Sequence, residues 1–336
     1  MKRMVMAFYY PWYRTPQVSG SWGHWRTEVE DLGKAAEERG IPMEVLESMG
    51  VFQKGEGDFS KLDEDGLPVA NVKNHPTIGL YDSSDPLVIR GHLKLAEDSG
   101  IDAFIISWWG RGDFSDEVTA KMFDEAVGLN VKLTVYYETV PSRREEEAVA
   151  DLLYILDRYG ERSPFLKVDG KPVIFIYGRA MGEIGEEGWR RVIKKVKEKT
   201  DCLLIADSME PSKVPEGFDG CHFYNPASLV KRGERMAQFF RNYVSLCRER
   251  GLIACLTVIP GYDDTVIRVP GIAVPRRGGL LYRALFERAI EADPDWILIT
   301  SWNEWHEGSE IEPSVEHGKV YLNLTKVYSS RFKGRG

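Results

Sequence analysis

Eight short apolar runs, separated by segments whose apolar residues recur at helical spacing, constrain this chain more than any other feature of its sequence. The runs are Val5–Tyr10, Asp102–Trp108, Val131–Tyr137, Pro172–Tyr177, Cys202–Asp207, Asp219–Tyr224, Ile253–Ile259 and Asp295–Ser301. Most do not alternate apolar with polar residues, which suits strands covered on both faces. Helix-period segments lie between them: Pro86–Ser99, Glu145–Arg158, Arg232–Glu249 and Leu280–Ala292. Gly100, Gly160 and Gly251 stand where helix C-termini are expected. Eight strands alternating with helices predict a single (β/α)8 TIM barrel of the α/β class over residues 1–336, not an open doubly wound sheet. The dinucleotide alternative lacks its phosphate loop, since no G-x-G-x-x-G follows the first strand and no G-x-x-x-x-G-K-[ST] occurs. Residues 14–85 separate the first strand from the first helix, and a connection that long in a compact domain is usually functional. Its aromatic start and charged, helix-capable middle (Thr27–Arg39) predict a long ordered excursion over the top face.

Composition excludes several classes of partner. Hydrophobic residues make up 43% of the 336, enough for a large core. A formal net charge of −8 offers no basic face for nucleic acid. The longest apolar stretches, such as Ile253–Ile259, are far too short to span a bilayer, so no membrane partner is expected. Met1-Lys2-Arg3 leads straight into the first strand run with no apolar leader, which predicts a cytoplasmic location. Cys202, Cys221, Cys247 and Cys255 form no C-x-x-C pair and read as buried small hydrophobes. Only Gln17, Gln53 and Gln238 stand beside 44 basic and 52 acidic residues, a balance that points to a heat-adapted protein.

In barrels of this kind chemistry collects at the C-terminal ends of the strands. Those ends carry Tyr9-Tyr10-Pro11-Trp12-Tyr13, Ser107-Trp108-Trp109-Gly110, Tyr136-Tyr137-Glu138, Tyr224-Asn225-Pro226, Pro260-Gly261-Tyr262-Asp263-Asp264 and Ser301-Trp302-Asn303-Glu304-Trp305-His306-Glu307-Gly308. Seven of the nine tryptophans (Trp12, Trp22, Trp25, Trp108, Trp109, Trp302, Trp305) fall in these top-face segments. Aromatics beside carboxylates and amides suit a sugar, whose ring offers an apolar C–H face to stack on and a rim of hydroxyls to hydrogen-bond. Glu304 and Glu307 are the sharpest pair. Glycoside hydrolysis needs two carboxyl groups in different protonation states at one sugar, and burial side by side separates their pKa values. A metal centre built from Glu304, His306, Asp263 and Asp207 is the weaker reading, because none of the six histidines forms H-x-H or H-E-x-x-H.

Trp302-Asn303-Glu304-Trp305-His306-Glu307-Gly308-Ser309-Glu310-Ile311-Glu312 resembles the N-E-W-H-E-G-[TS]-x-I-E signature of glycoside hydrolase family 99, the endo-α-1,2-mannosidases and related endo-mannanases. Phe8-Tyr9-Tyr10-Pro11-Trp12-Tyr13 with His24-Trp25 is similar to the family's opening Y-Y-x-W-Y…H-W. Gly79-Leu80-Tyr81-Asp82-Ser83-Ser84-Asp85-Pro86 resembles its entry to the first helix, and Pro260-Gly261-Tyr262-Asp263-Asp264-Thr265-Val266-Ile267-Arg268 its P-G-Y-x-D-T-x-I-R. The resemblance spans nearly the whole chain. It implies a (β/α)8 barrel with no metal or cofactor and endo-cleavage of α-mannose-containing oligosaccharide or polysaccharide with retention. It also implies that Glu304 deprotonates the substrate's 2-hydroxyl to form a 1,2-anhydro sugar, and that Glu307 acts as general acid and then base.

Strand-end position and these motifs together place Tyr10, Tyr13, His24, Trp25, Trp108, Trp109, Glu138, Tyr224, Tyr262, Asp263 and Asn303 as expected sugar ligands. The chain departs from the family pattern in three places. Glu310 stands where the family commonly has Gln, and Tyr136-Tyr137-Glu138-Thr139-Val140 replaces its H-x-E-P-Y. The stretch from Arg26 to Thr77 also differs. Two other readings use the same residues: a conventional two-carboxylate α-glycosidase pairing Glu138 with Glu304 or Glu307, and a non-catalytic glycan-binding barrel. Two adjacent acids argue against the last.

Overall fold

The computed structural model describes residues 2–25, 70, 72–268 and 270–334. Eight parallel strands close on themselves: β1 (Met4–Tyr9), β2 (Ala103–Trp108), β3 (Lys132–Tyr137), β4 (Lys171–Ile176), β5 (Leu203–Asp207), β6 (Gly220–His222), β7 (Ile253–Val258) and β8 (Trp296–Ile299). β1 lies between β8 and β2, with Val5 opposite Ile297 and Ala7 opposite Phe104. Pairing of β3 with β4 completes the ring. The principal helices are α1 (Pro86–Asp98), α2 (Phe114–Glu125), α3 (Glu145–Tyr159), α4 (Gly178–Lys197), α5 (Met236–Glu249), α6 (Leu280–Ala292) and α7 (Val320–Lys333). This is the (β/α)8 barrel that the spacing predicts, with one gap in the alternation. Between β5 and β6 the chain makes only a 3₁₀ turn at Pro211–Lys213. That connection carries Pro211, Pro215 and Gly217 in few residues, too little chain and too many breakers for a helix.

The strands bury side chains on both faces, so two cores form. Met4, Met6, Phe8, Ile105, Phe175, Ile205, Trp296 and Leu298 fill the barrel interior. The alternate residues Val5, Ala7, Tyr9, Phe104, Ile106 and Ile297 pack outward with Ile89 and Leu93 of α1 and other helix residues. Each large apolar side chain taken fully out of water is worth roughly 1.5–3 kcal/mol. Asp85 caps α1 by accepting a hydrogen bond from the Leu87 N–H at 2.8 Å. Gly100 follows the same helix at φ +76°, a conformation that favours glycine. Gly160 ends α3 for another reason: a Cβ there would sit 2.3 Å from the Leu156 carbonyl oxygen. All four cysteines are buried thiols. No helix among the described residues is long and apolar enough to cross a membrane. Most of the expected excursion over residues 14–85, with its helix-capable middle Thr27–Arg39, lies outside the described residues.

After β8 the chain stays inside the protein, with every residue from Ser301 to Ser314 buried. Buried backbone needs partners, and here they come from several elements. Trp302 N donates to Phe8 O at 2.8 Å, and Asn303 clamps Tyr10 from both sides, its Oδ1 taking the Tyr10 N–H (2.8 Å) and its Nδ2 donating to the Tyr10 carbonyl (2.9 Å). Arg276 Nη1 donates to Glu310 O at 2.8 Å and Nη2 to Gly308 O at 3.0 Å. Below them a buried chain runs from Tyr9 Oη to His92 Nδ1 (3.1 Å) and from His92 Nε2 to Glu312 Oε1 (3.0 Å). Tyr81 Oη donates to the other oxygen of Glu312 at 2.9 Å. The loop is therefore a fixed platform at the top of the barrel.

Candidate active site

The strand period fixes what faces the barrel mouth. Side chains that point inward along each strand continue inward just past its end: Tyr10 after β1, Glu138 after β3, Tyr177 after β4 and Tyr224 after β6. With Trp12, His24, Trp109, Tyr136, Arg179, Ile267, Arg268, Glu304, His306 and Glu307 they line a pocket of about 450 Å³. That volume lies in the usual range for a small-molecule site.

One wall is aromatic. Trp12 stacks on His24 with ring centroids 4.0 Å apart and lies against Tyr10 at 4.6 Å. Burial, with His306 beside it, lowers His24 to about 3, so its ring is neutral at ordinary pH. His306 is fixed by its own contact, Nε2 donating to the His24 carbonyl. Arg179 sits over the Trp109 ring, its guanidinium carbon 4.9 Å from the centroid.

The same pocket holds three carboxyl groups, Glu138, Glu304 and Glu307. Ser107 Oγ donates to Glu138 Oε1 at 2.7 Å, and Trp109 Nε1 donates to Ser107 Oγ at 2.9 Å. Burial pushes Glu138 up to about 8 despite that hydrogen bond. Asp207, also raised by burial to about 6, accepts from Tyr136 Oη (3.2 Å), Gly178 N (3.0 Å) and Tyr224 N (3.2 Å). It orients two pocket tyrosines from below. Burial first, and the neighbouring Glu307 second, hold Glu304 well above the usual carboxyl range. Glu304 takes one backbone hydrogen bond, from His306 N at 3.2 Å. Glu307 is better supplied: Oε1 accepts from Arg268 Nη1 at 2.8 Å and Oε2 from Tyr224 Oη at 3.1 Å.

Glu138 supplies a stability test. The unfolded chain releases this proton near pH 4.3, whereas the folded protein keeps it to about 8. The folded state therefore binds the extra proton in that window, and Glu138 destabilises it increasingly as pH rises from about 4.5 to 8. Glu138→Gln removes the penalty. Denaturant unfolding should show the variant gaining on the wild type between pH 5 and pH 8 by on the order of 2–4 kcal/mol. Equal gaps at the two pH values would refute the protonated carboxyl.

Of the predicted sugar ligands, Tyr10, His24, Trp109, Glu138 and Tyr224 reach this pocket, as do Glu304 and Glu307. Six others stand behind or beside it. Trp108 is rotated outward by the strand period and donates from Nε1 to Asp116 of α2 at 2.9 Å. Tyr13 and Trp25 stack on each other at 4.1 Å and are fully buried with Trp305 in a separate cluster. Asn303 is the backbone clamp already described. Tyr262 and Asp263 border a neighbouring groove with Lys73 and Arg276. The tryptophan count also misleads, because Trp25, Trp108, Trp302 and Trp305 are core residues with no exposed surface. Sequence reasoning missed Tyr136 and Tyr177, which share the inward parity of Glu138 and of Phe175 respectively. It also missed Trp12, His306 and Arg268, which sat inside quoted motifs. Ile267 sat beside Arg268 in the same motif, whereas Arg179 left no signal that marks it out. Among the described residues no group of three or more His, Cys, Asp or Glu side chains is placed to hold a metal ion.

A model of glycosyl hydrolase family 99 matches residues 1–329. Among curated proteins, the glycoprotein endo-α-1,2-mannosidase of Mus musculus is 26% identical over 363 residues, covering 97% of this chain and 74% of that protein. Its Xenopus laevis counterpart is 25% identical, covering 97% of this chain and 76% of that protein. Among solved structures, a GH99 endo-α-mannosidase from Bacteroides thetaiotaomicron superposes with a TM-score of 0.78 at 24% identity, covering 98% of this chain and 97% of that one.

Proposed function

The chain belongs to glycosyl hydrolase family 99, and from that premise we propose that this glycoside hydrolase cleaves internal α-mannosidic bonds with retention, through a 1,2-anhydro sugar. The observation that carries the reading is the placement of Glu304 and Glu307 on one rigid loop at the mouth of an aromatic-walled pocket, both buried and electrostatically linked. The substrate is an α-mannose-containing oligosaccharide or polysaccharide.

Mannose stereochemistry makes the pairing productive. In an α-mannoside chair the C1 leaving group and the 2-hydroxyl are both axial and on opposite faces. O2 can therefore displace from behind once Glu304 removes its proton. Glu307 protonates the departing glycosidic oxygen. The same Glu307, now a carboxylate, takes a proton from water as that water opens the anhydro ring at C1, and Glu304 returns its proton to O2. Two inversions give net retention. A gluco-configured 2-hydroxyl would need ring distortion to reach the same alignment. Glu138, the third pocket carboxyl, supports a second reading as one member of a conventional acid–nucleophile pair.

Proton NMR of a digest of an α-1,2/α-1,6-mannose oligosaccharide panel tests the proposal. Release of an oligosaccharide whose new reducing end appears first as the α-anomer is expected. A β-anomer appearing first, release of monosaccharide alone, or no cleavage of any member would overturn it.

A further inference from the structure

The two oxygens of Glu307 are not held alike, and the cation on one of them is over-committed. Arg268 Nη1 lies 2.8 Å from Glu307 Oε1, 2.8 Å from Tyr262 Oη and 2.8 Å from Asp264 Oδ2. A guanidinium NH₂ carries two hydrogens, so three acceptors at that distance cannot all be fully served. Two of the three belong to the segment that bears Arg268, and Tyr262 Oη itself donates to Asp264 Oδ2 at 3.0 Å. Tyr262 and Asp264 thus retain the guanidinium whether or not Glu307 does. The contact to Glu307 is the one that can be given up. Arg268 lines the pocket, its side chain is 44% exposed, and neither Nε nor Nη2 donates a hydrogen bond among the described residues. Those free donors are available to the hydroxyls of a bound sugar.

The reaction proposed above, on which this inference rests, needs a proton on Glu307 and none on Glu304 when the glycosidic bond breaks. The empty pocket favours the reverse. Glu307 has a guanidinium in contact, whereas Glu304 has no cation within ion-pair distance among the described residues. We propose that Arg268 decides which of the two carboxyl groups carries the proton: it holds Glu307 ionised in the empty pocket and is drawn onto the entering glycan. One proton then passes from Glu304 to Glu307. Glu304 becomes the carboxylate base, Glu307 becomes the acid, and the charge of the pair does not change. The acid is armed only when a substrate is present.

The other groups facing Glu307 are Tyr224 and Tyr262 in hydroxyl contact, with Tyr10, Tyr177, Glu138 and Glu304 close enough to interact electrostatically. All remain in the Arg268 variants, so comparison isolates the guanidinium. The first measurement needs no turnover. Carboxyl titration by ¹³C NMR of glutamate-labelled protein, with Glu307 assigned through Glu307→Gln, should show Glu307 titrating about one pH unit higher in Arg268→Gln than in the wild type. An unmoved titration overturns the proposal even if no substrate is ever found. The second uses the oligosaccharide panel. Because kcat/KM reports the free enzyme and kcat the complex, the basic limb of kcat should lie above that of kcat/KM in the wild type. The two limbs should coincide in Arg268→Gln and separate again in Arg268→Lys. Separation surviving in Arg268→Gln, or absent from the wild type, overturns the withdrawal step. A wild type that cleaves no α-mannoside removes the functional reading instead, while the NMR titration still decides what Arg268 does to Glu307.

Discussion

Glu307→Gln is expected to lower kcat/KM on an α-mannose oligosaccharide by about 10²–10⁴-fold, the usual worth of a positioned general acid or base. The amide preserves shape: its single oxygen can still accept from Arg268 Nη1, and its NH₂ then faces Tyr224 Oη, whose hydroxyl can turn to accept, so the fold should survive, as unchanged circular dichroism would show. The size of the loss should depend on the leaving group. A sugar alkoxide is a poor leaving group and needs the proton that Gln cannot give. Fluoride or a nitrophenolate departs unaided, so kcat/KM on such an α-mannoside should recover most of the deficit. The second step still lacks its base, and kcat should stay low as the anhydro intermediate accumulates or is trapped by azide. A loss below tenfold on the oligosaccharide, or an equal loss on both substrate types, would remove Glu307 from the acid role.

The fold was legible because burial on both faces leaves an unbroken apolar signature. Val5–Tyr10 and Met4–Tyr9 differ by one residue at each end, and the run Ile253–Ile259 overshoots β7 by one. The run Asp219–Tyr224 was read as a full strand, yet β6 spans only Gly220–His222. Its inward parity nevertheless continues through Tyr224, which reaches Glu307. That parity is what the site reading lacked. Ser107 and Trp109 face the pocket while Trp108 between them faces α2, a distinction carried by period rather than by residue type. Tyr13, Trp25 and Trp305 pack as a buttress under the platform, and an aromatic cluster reads the same in sequence whether it binds sugar or supports what does. Arg268 and Glu307 meet across residues far apart in the chain, so no local pattern announces their contact. Glu310, the acid found where the family commonly has Gln, turns out to be neutralised structurally: it pairs with Arg276 and accepts from Asn74 Nδ2 at 2.7 Å. Its charge is directed into the platform and not toward the pocket.

Glu304→Gln separates the anhydro-sugar route from a conventional pair, which loss of activity alone cannot do. On an α-mannoside the variant should lose about 10²–10⁴-fold in kcat/KM, because the other residue of that loop lining the pocket, His306, has its Nε2 committed to the His24 carbonyl. Synthetic 1,2-anhydro-mannose changes the requirement. The ring is already closed and strained, so its opening at C1 needs the Glu307 carboxylate to activate water and no base on O2; O2 gains a proton, which Glu304 gives in the wild type and which ring strain lets solvent give in the variant. Wild type should therefore turn over the epoxide, and Glu304→Gln should lose far less on it than on the glycoside. An α-mannoside lacking the 2-hydroxyl supplies the complementary case. It has no internal nucleophile and should resist the wild type, whereas a carboxylate nucleophile such as Glu138 would still attack C1 directly. Cleavage of that 2-deoxy substrate at a rate near the parent's, together with an untouched epoxide, would transfer the nucleophile from O2 to a pocket carboxylate and leave Glu304 as an orienting residue.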